Sequence, residues 1–449
     1  MVDKGKSDSQ YMDNIFKLTG NPFIDLGTIV LKNLIEKDNI DKITKEDLEK
    51  EIDKLVEIYS HDKWRKCIFS IFPNSPLTQP HYIGNGTNVE KHKSKLMEYF
   101  KSIEPLDSNG SCLGCGSREG RFKLKKAELP LTGSAAHRSS FPAADEGLPF
   151  CGACALSIQF SPLGYYKSAG KFLVPQSNSH ELIDSWVNLC LKNLKSQRIS
   201  GNYSGCNHAQ TEIPENAIYL ILSEVISKTD KELENNTTVR IFHFTNYNQG
   251  PEMKLYEIPS NLFEFLSVVM KPKYKSAWMN IITQGFDNSK VNTEEKMKNK
   301  KNEVIIKLFN NESILKYFVS DRQKKAFGDW DLLSYYMAKV ENMDEKSLEI
   351  VKEVADKICE TAKKTESDKR VNQLQQANTY EGFRGVLLNV QKDRVNIGLE
   401  ETLISIDEIN QVIYEEDYSN WKLIRDLLLF RCYENLNEWL IEKNKKEGE

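Results

Sequence analysis

The 449-residue chain sets 61 Lys and Arg against 65 Asp and Glu, a formal net charge of −4. That balance excludes a simple basic DNA-binding domain, whose affinity would rest on a global positive field. It suits a subunit that meets proteins on some faces and nucleic acid on others, and the length provides for two or three domains.

The first hundred residues read mainly as helices. One opens at Phe23 and runs to about Lys37; a second follows the capping-box pattern Thr44-Lys45-Glu46-Asp47, with Leu48, Ile52, Leu55 and Tyr59 at helical spacing. Asp62 to Phe72 predicts a third, ended by Pro73. After a turn-rich loop through Gly84, Asn85 and Gly86, Thr87 or Asn88 can cap a basic helix carrying Lys91, His92, Lys93 and Lys95.

Residues 108–180 differ in character, being rich in Gly, Ser and Pro. They hold Cys112-Leu-Gly-Cys115 and Cys151-Gly-Ala-Cys154, two knuckles separated by 35 residues. Each C-x-x-C turn aims two thiolates at one centre, and four sulfurs complete the tetrahedron of a structural Zn²⁺ with no position left for a catalytic water. One structural Zn²⁺ is therefore the expected cofactor, with iron–sulfur ligation and dithiol redox as the alternatives. Arg121-Phe-Lys123-Leu-Lys125 alternates as a strand would, and Tyr165 to Phe172 reads as a hairpin with a basic tip at Lys167 and Lys171.

Helices are expected over 180–196 and 215–227, then a hairpin pairing Val239–Thr245 with Met253–Ile258 around a tip holding Asn246, Asn248 and Gln249. From about Asn261 the pattern is helical. The run Lys296, Lys298, Lys300 and Lys301 reads as a connector or exposed helix start. Apolar stripes follow at Leu348, Val351, Ala355, Ile358 and Ala362, and at Leu423, Leu427, Phe430 and Leu436. The expected fold class is α+β and mostly helical, a mixed N-terminal domain with an inserted zinc-ribbon-like region and a C-terminal α-helical bundle. The expected divisions are an N-terminal helical part over 1–107, the metal region over 108–180, the α/β remainder over 181–290, a basic connector over 291–328 and the bundle over 329–449.

No catalytic motif is present: no phosphate loop with its lysine, no Rossmann fingerprint, no nucleophile elbow, no H-E-x-x-H. The seven histidines never take a paired ligand spacing. His208, two residues after Cys206, raises a second metal site against a plain polar loop, and His243 among aromatics reads as a hydrogen-bonded core residue. A hydrolase built on dispersed acids such as Asp145, Glu146 and Asp184 has only their presence behind it. The expectation is a non-enzyme that binds. Arg121, Lys123, Lys125, Lys167 and Lys171 can neutralise phosphates, although a solvated strand face explains the first three equally well. The amides of Asn85 and Asn88 in one loop and Asn246, Asn248 and Gln249 in another can read base edges, and turn chemistry also accounts for them. No apolar run reaches membrane-spanning length and Met1 to Ser7 lacks a signal core, so a cytoplasmic protein is expected.

Four features together are similar to a known family: Thr19-Gly-Asn-Pro-Phe-Ile-Asp-Leu-Gly27, Phe72-Pro-Asn74, the two cysteine pairs, and Phe242-His-Phe-Thr-Asn-Tyr-Asn-Gln-Gly250. The chain resembles the large subunit of a type I CRISPR effector complex (Cascade), specifically the CXXC–CXXC family of subtype I-B; the C-terminal half shares only its helical character. The resemblance implies a non-catalytic subunit in RNA-guided DNA interference. It would sit at the 5′-handle end of the crRNA beside the handle-binding subunit and the backbone repeat subunits. It would recognise the protospacer-adjacent motif (PAM) in target DNA, help open the duplex, support the displaced strand and help recruit the helicase-nuclease. Family members also imply an internally translated small subunit, for which Met297 is the best-placed start. The other reading is a zinc-ribbon scaffold in a transcription or RNA-processing assembly.

Overall fold

The computed structural model describes residues 15–78, 87–104, 106, 110–132, 147–229, 236–247, 251–286, 293–414 and 420–447. The chain forms two compact units, one of residues 1–260 with 297–300 and the other of 261–296 with 301–449.

In the first unit, α1 (Pro22–Leu34) starts where Asn21 accepts the amides of Phe23 and Ile24, with Pro22 at a position that needs no donor. The Asp25 carboxylate accepts from Thr19 N, Thr19 Oγ1 and Gly20 N at 2.7–2.8 Å, fixing the entering chain. α1 is apolar on nearly every side, and its Phe23, Ile24, Leu26, Ile29, Val30 and Leu31 are all buried. α2 (Lys45–Ser60), α3 (Asp62–Ile71) and α4 (Thr87–Lys101) follow, and the Thr44–Asp47 capping box opens α2. The short strands β1 (Phe122–Leu124) and β2 (Leu148–Phe150) pair antiparallel and lead into α5 (Gly152–Phe160).

α5 packs against α1 at backbone distance. A Cβ on Gly27 would fall 1.8 Å from the Ser157 carbonyl oxygen, and Thr28 Oγ1 lies 3.1 Å from Ser157 Oγ.

β3 (Tyr166–Ser168) and β4 (Lys171–Ser177) form the expected hairpin, with Ala169 and Gly170 both at positive φ in its two-residue turn. Then come α6 (His180–Ser200), β5 (Asn207–His208), α7 (Pro214–Lys228), β6 (Val239–Thr245) and β7 (Glu252–Ile258). The sheet order is β5-β3-β4-β6-β7, with β3 and β5 parallel and the other neighbours antiparallel. Phe23 of α1 seats on this sheet against Phe242 and Phe244, 6.5 and 5.5 Å between ring centres.

Among the described residues, the second unit is helical apart from loops and the two-residue strands β8 (Val319–Ser320) and β9 (Lys325–Ala326). Its helices begin with α8 (Ser260–Val269) and α9 (Pro272–Gln284). α10 (Thr293–Asn299), α11 (Glu303–Phe309), α12 (Trp330–Lys339) and α13 (Glu345–Lys364) come next. α14 (Lys369–Gln376), α15 (Tyr380–Asn396), α16 (Ile406–Ile409) and α17 (Trp421–Glu447) complete it. The stripe from Leu348 to Ala362 is buried as read; on α17 the buried side is Ile424, Leu427, Phe430 and Leu436, and Leu423 is only half-buried.

Of the stretch 291–328, expected as a connector, the described residues 293–328 are built into structure. Asn302 caps α11 and donates to the Ile282 carbonyl at 2.8 Å, and Val304 and Ile305 are buried. Within the first unit, Asn216 Nδ2 reaches the carbonyls of Met297 and Lys300 at 2.8 and 2.7 Å, and Thr211 Oγ1 reaches that of Lys298.

The second unit also begins earlier than Asp329. Phe265 of α8 stands edge-on to Trp278 of α9 and to Tyr336 of α12, at 5.3 and 5.4 Å. A product starting at Met297, the small-subunit start expected above, would lack both α8 and α9. We expect residues 261–449 expressed alone to melt in one cooperative transition. Residues 329–449 lose the packing of two large aromatics, a change that costs about 3–5 kcal/mol per side chain in other cores. That shorter fragment should bind a hydrophobic dye and melt without cooperativity; a sharp melt from it would overturn the earlier boundary.

Candidate metal centre and nucleic-acid interface

The first knuckle is a tight backbone loop. Cys112 N donates to Arg118 O at 3.0 Å and Gly116 N to Cys112 O at 2.9 Å, and Gly116 takes φ +62°, a conformation glycine adopts without strain. The second knuckle is the start of α5, where Cys151 is the N-cap and its sulfur accepts from Cys154 N at 3.5 Å. The β1–β2 pair brings the knuckles together: Phe122 faces Phe150, and Leu113 N donates to Pro149 O at 2.9 Å.

All four cysteines are buried, and their sulfurs lie within 4.8 Å of one another. The Cys115 and Cys151 sulfurs are 3.8 Å apart. A tetrahedron with metal–sulfur bonds of ~2.3 Å has edges of about 3.8 Å, so the set fits one cation. Cys151 N donates to Cys112 Sγ at 3.2 Å, an amide–sulfur contact of the kind that stabilises thiolates. Hydrogen bonding from Cys115, Cys151 and Cys154 drives the Cys112 thiol far down, and contact with Cys112, Cys115 and Cys151 drives Cys154 far up. Sulfurs this close cannot all ionise unless a positive charge sits between them.

The centre is wedged into the core. A Cβ on Gly114 would lie 2.6 Å from Ile24 Cδ1 and 2.9 Å from Cys154 Sγ, and one on Gly152 would lie 2.2 Å from Tyr99 O.

The expected nucleic-acid residues divide by environment. Arg121, Lys123 and Lys125 share the exposed side of the β1 segment, with Leu124 buried between them. Arg121 is already paired with Glu104 and Glu119, at 2.5 and 2.9 Å, whereas Lys123 and Lys125 carry no side-chain ion pair to a described residue. Lys171 pairs with Glu252 at 2.7 Å, and Lys167 is half-buried. Asn85, Asn248 and Gln249 lie outside the described residues, as do Asp145 and Glu146; Asp184 is paired with Lys32 at 2.6 Å.

Asn88 and Asn246 correct the sequence reading, because both are buried. Asn246 N donates to Ser70 O at 2.8 Å and its Nδ2 to Ile71 O at 2.9 Å, so it caps the C-terminal carbonyls of α3. Arg118, three residues before Arg121, is buried too and donates to the carbonyls of Glu104 and Ile15. Lys126 Nζ reaches Tyr247 O at 2.6 Å. The possible second metal site at Cys206 and His208 is not assembled: Cys206 is fully buried and His208 exposed. His243 is the core histidine expected, its Nε2 3.0 Å from Ser168 O.

Residues 105–166 match the family described as CRISPR-associated protein (Cas_CXXC_CXXC), a segment that contains both knuckles. The match supports a CRISPR-associated protein of this family. No curated protein and no solved structure matches the chain.

Replacing Cys112 and Cys115 by serine should abolish bound metal and lower the melting temperature, because half the ligand set is gone and metal binding is coupled to folding. Metal content equal to wild type would overturn the four-sulfur site. Asn246→Ala keeps the backbone bond to Ser70 O but strands the Ile71 carbonyl, and should cost about 1–3 kcal/mol in denaturant unfolding.

A third outcome concerns His92, which α4 turns inward so that Nε2 finds no partner. Burial first, and the Lys95 charge second, lower its pKa from 6.5 to about 4. The unfolded chain then takes up a proton near 6.5 that the folded chain refuses until about 4. Stability should fall by as much as about 3 kcal/mol as pH drops through that window. His92→Gln should flatten this part of the pH profile.

Proposed function

We propose that this chain is the large subunit of a type I-B CRISPR effector complex, acting without catalysis. The observation that carries the reading is the four-cysteine centre lying inside the segment matched to the CRISPR-associated family. The metal is Zn²⁺, since a closed, buried, all-sulfur set with amide donors is a structural zinc site and leaves no coordination position for substrate. Its chemistry is to hold α5 and the β1–β2 pair in register; the chain's own residues do the binding.

In this role the subunit sits with the crRNA handle, the handle-binding subunit and the backbone repeat subunits, contacts PAM-bearing duplex and recruits the helicase-nuclease. Guide pairing reads most of the target sequence, so this subunit needs only a short duplex contact. Lys123 and Lys125 beside the zinc knuckle are the first phosphate contacts to consider, with Lys167 secondary. Arg121 and Lys171 are tied to carboxylates and contribute less. Base reading falls to Asn85, Asn248 and Gln249.

Charge reversal of Lys123 and Lys125 in the assembled complex should weaken target binding and reduce the slope of log K against log salt by about 2, roughly 0.9 per lost phosphate contact. An unchanged slope would return both lysines to a solvated strand face. Failure of the chain to co-purify with guide RNA and repeat subunits would remove the large-subunit reading itself.

A further inference from the structure

Four of the five cysteines outside the metal centre meet in pairs, Cys67 with Cys206 and Cys359 with Cys432. The first pair carries features that the second lacks. Cys67 lies on α3, and its sulfur accepts hydrogen bonds from the Cys206 thiol and, at 3.4 Å, from Cys206 N. The chain reaches this position through Gly205, at φ +89°. A Cβ there would stand 2.9 Å from Cys67 Sγ and 3.0 Å from Lys63 O, so only glycine permits the approach. Both thiols are free.

We propose that Cys67 and Cys206 form an oxidisable thiol pair, a modification site that a two-electron oxidant of the peroxide class converts into a disulfide joining α3 to the segment before β5.

The chemistry balances within the pair. The Cys67 thiolate attacks a peroxide oxygen, the O–O bond breaks, and the departing hydroxide takes the proton Cys67 gave up, leaving water and a sulfenic acid on Cys67. The Cys206 sulfur then attacks the Cys67 sulfur; the S–O bond breaks, the S–S bond forms, and the Cys206 proton leaves with the hydroxyl as a second water. Two thiols and one peroxide give one disulfide and two waters.

Cys67 is the attacking group. The hydrogen bond from Cys206 holds its thiol down to about 7, and the Lys167 ammonium acts in the same direction. Burial pushes Cys206 well up, so it keeps its proton and serves as the resolving thiol. At the other pair, contact with Cys359 and then burial push the Cys432 thiol well up, and the Asp356 charge adds to this. The Arg431 charge acts the other way on Cys432 but does not outweigh them.

The test treats folded, zinc-loaded full-length protein with one equivalent of hydrogen peroxide. Remaining thiols are blocked with N-ethylmaleimide before unfolding, and the protein is digested without reduction for mass spectrometry. The expected product is a cross-linked pair of peptides containing Cys67 and Cys206, lighter by two hydrogens and separated by reductant, while Cys359 and Cys432 stay free. Lys167→Gln should slow its appearance severalfold without unfolding the chain, as circular dichroism would verify. Recovery of Cys67 and Cys206 as unlinked thiols after excess peroxide would overturn the proposal. So would linkage of either to another cysteine, or linkage that forms only after denaturation.

Discussion

The contact on which the first unit depends is the backbone approach of α1 to α5. Gly27 permits it, since any Cβ would collide with the Ser157 carbonyl. The same α5 begins at Cys151 and supplies Cys154, so the metal knuckle and the packed helix are one rigid piece. Ile24 of α1 touches the first knuckle and Phe23 touches the sheet, which makes α1 the element through which the metal centre and the sheet are held in common. A cation at the sulfurs therefore fixes more than a surface loop. It sets where α5 starts, and α5 sets where α1 can lie.

The same geometry explains why the sequence features that resemble the CRISPR family are scattered along the chain. Asn21 and Asp25 cap and brace α1; Phe72 ends α3; Asn246 leaves β6 to cap the α3 carbonyls. Each is a fixture at a junction between elements, where one residue type satisfies backbone groups that would otherwise be stranded in the interior. None of these positions is exposed chemistry. A motif that looks like a recognition tip can be the internal joint of a fold, and Asn246 is such a case.

Local periodicity made much of this fold legible. The capping box before α2, the Pro214 entry to α7, both hairpins and the helical stripes of the second unit are signals whose cause lies within a few residues, and the knuckle spacing placed four sulfurs together correctly. What the sequence did not disclose were long-range pairings. The join of β4 to β6, the parallel strand β5, the inward rotation of His92 and Asn88, and the meeting of Cys67 with Cys206 all depend on partners far along the chain. Helix periodicity could have signalled His92, which stands four residues before the buried Leu96; its basic neighbours drew the reading outward instead.

Charge is where sequence and structure part most usefully. The segment from Arg118 to Lys126 holds five cations and reads as one basic patch, yet the fold spends three of them internally. Arg118 braces two backbone carbonyls, Lys126 a third, and Arg121 pairs with two carboxylates. A buried or paired cation has already exchanged its hydration for protein partners and releases few counterions when a phosphate approaches. Any phosphate-binding capacity of this face would rest on Lys123 and Lys125, and two contacts at roughly 0.9 each in salt slope are too few for tight binding by this face alone. On the proposed reading, such a face would contribute orientation within an assembly whose other members supply most of the affinity, the subunit reading a short motif while a guide strand reads the rest.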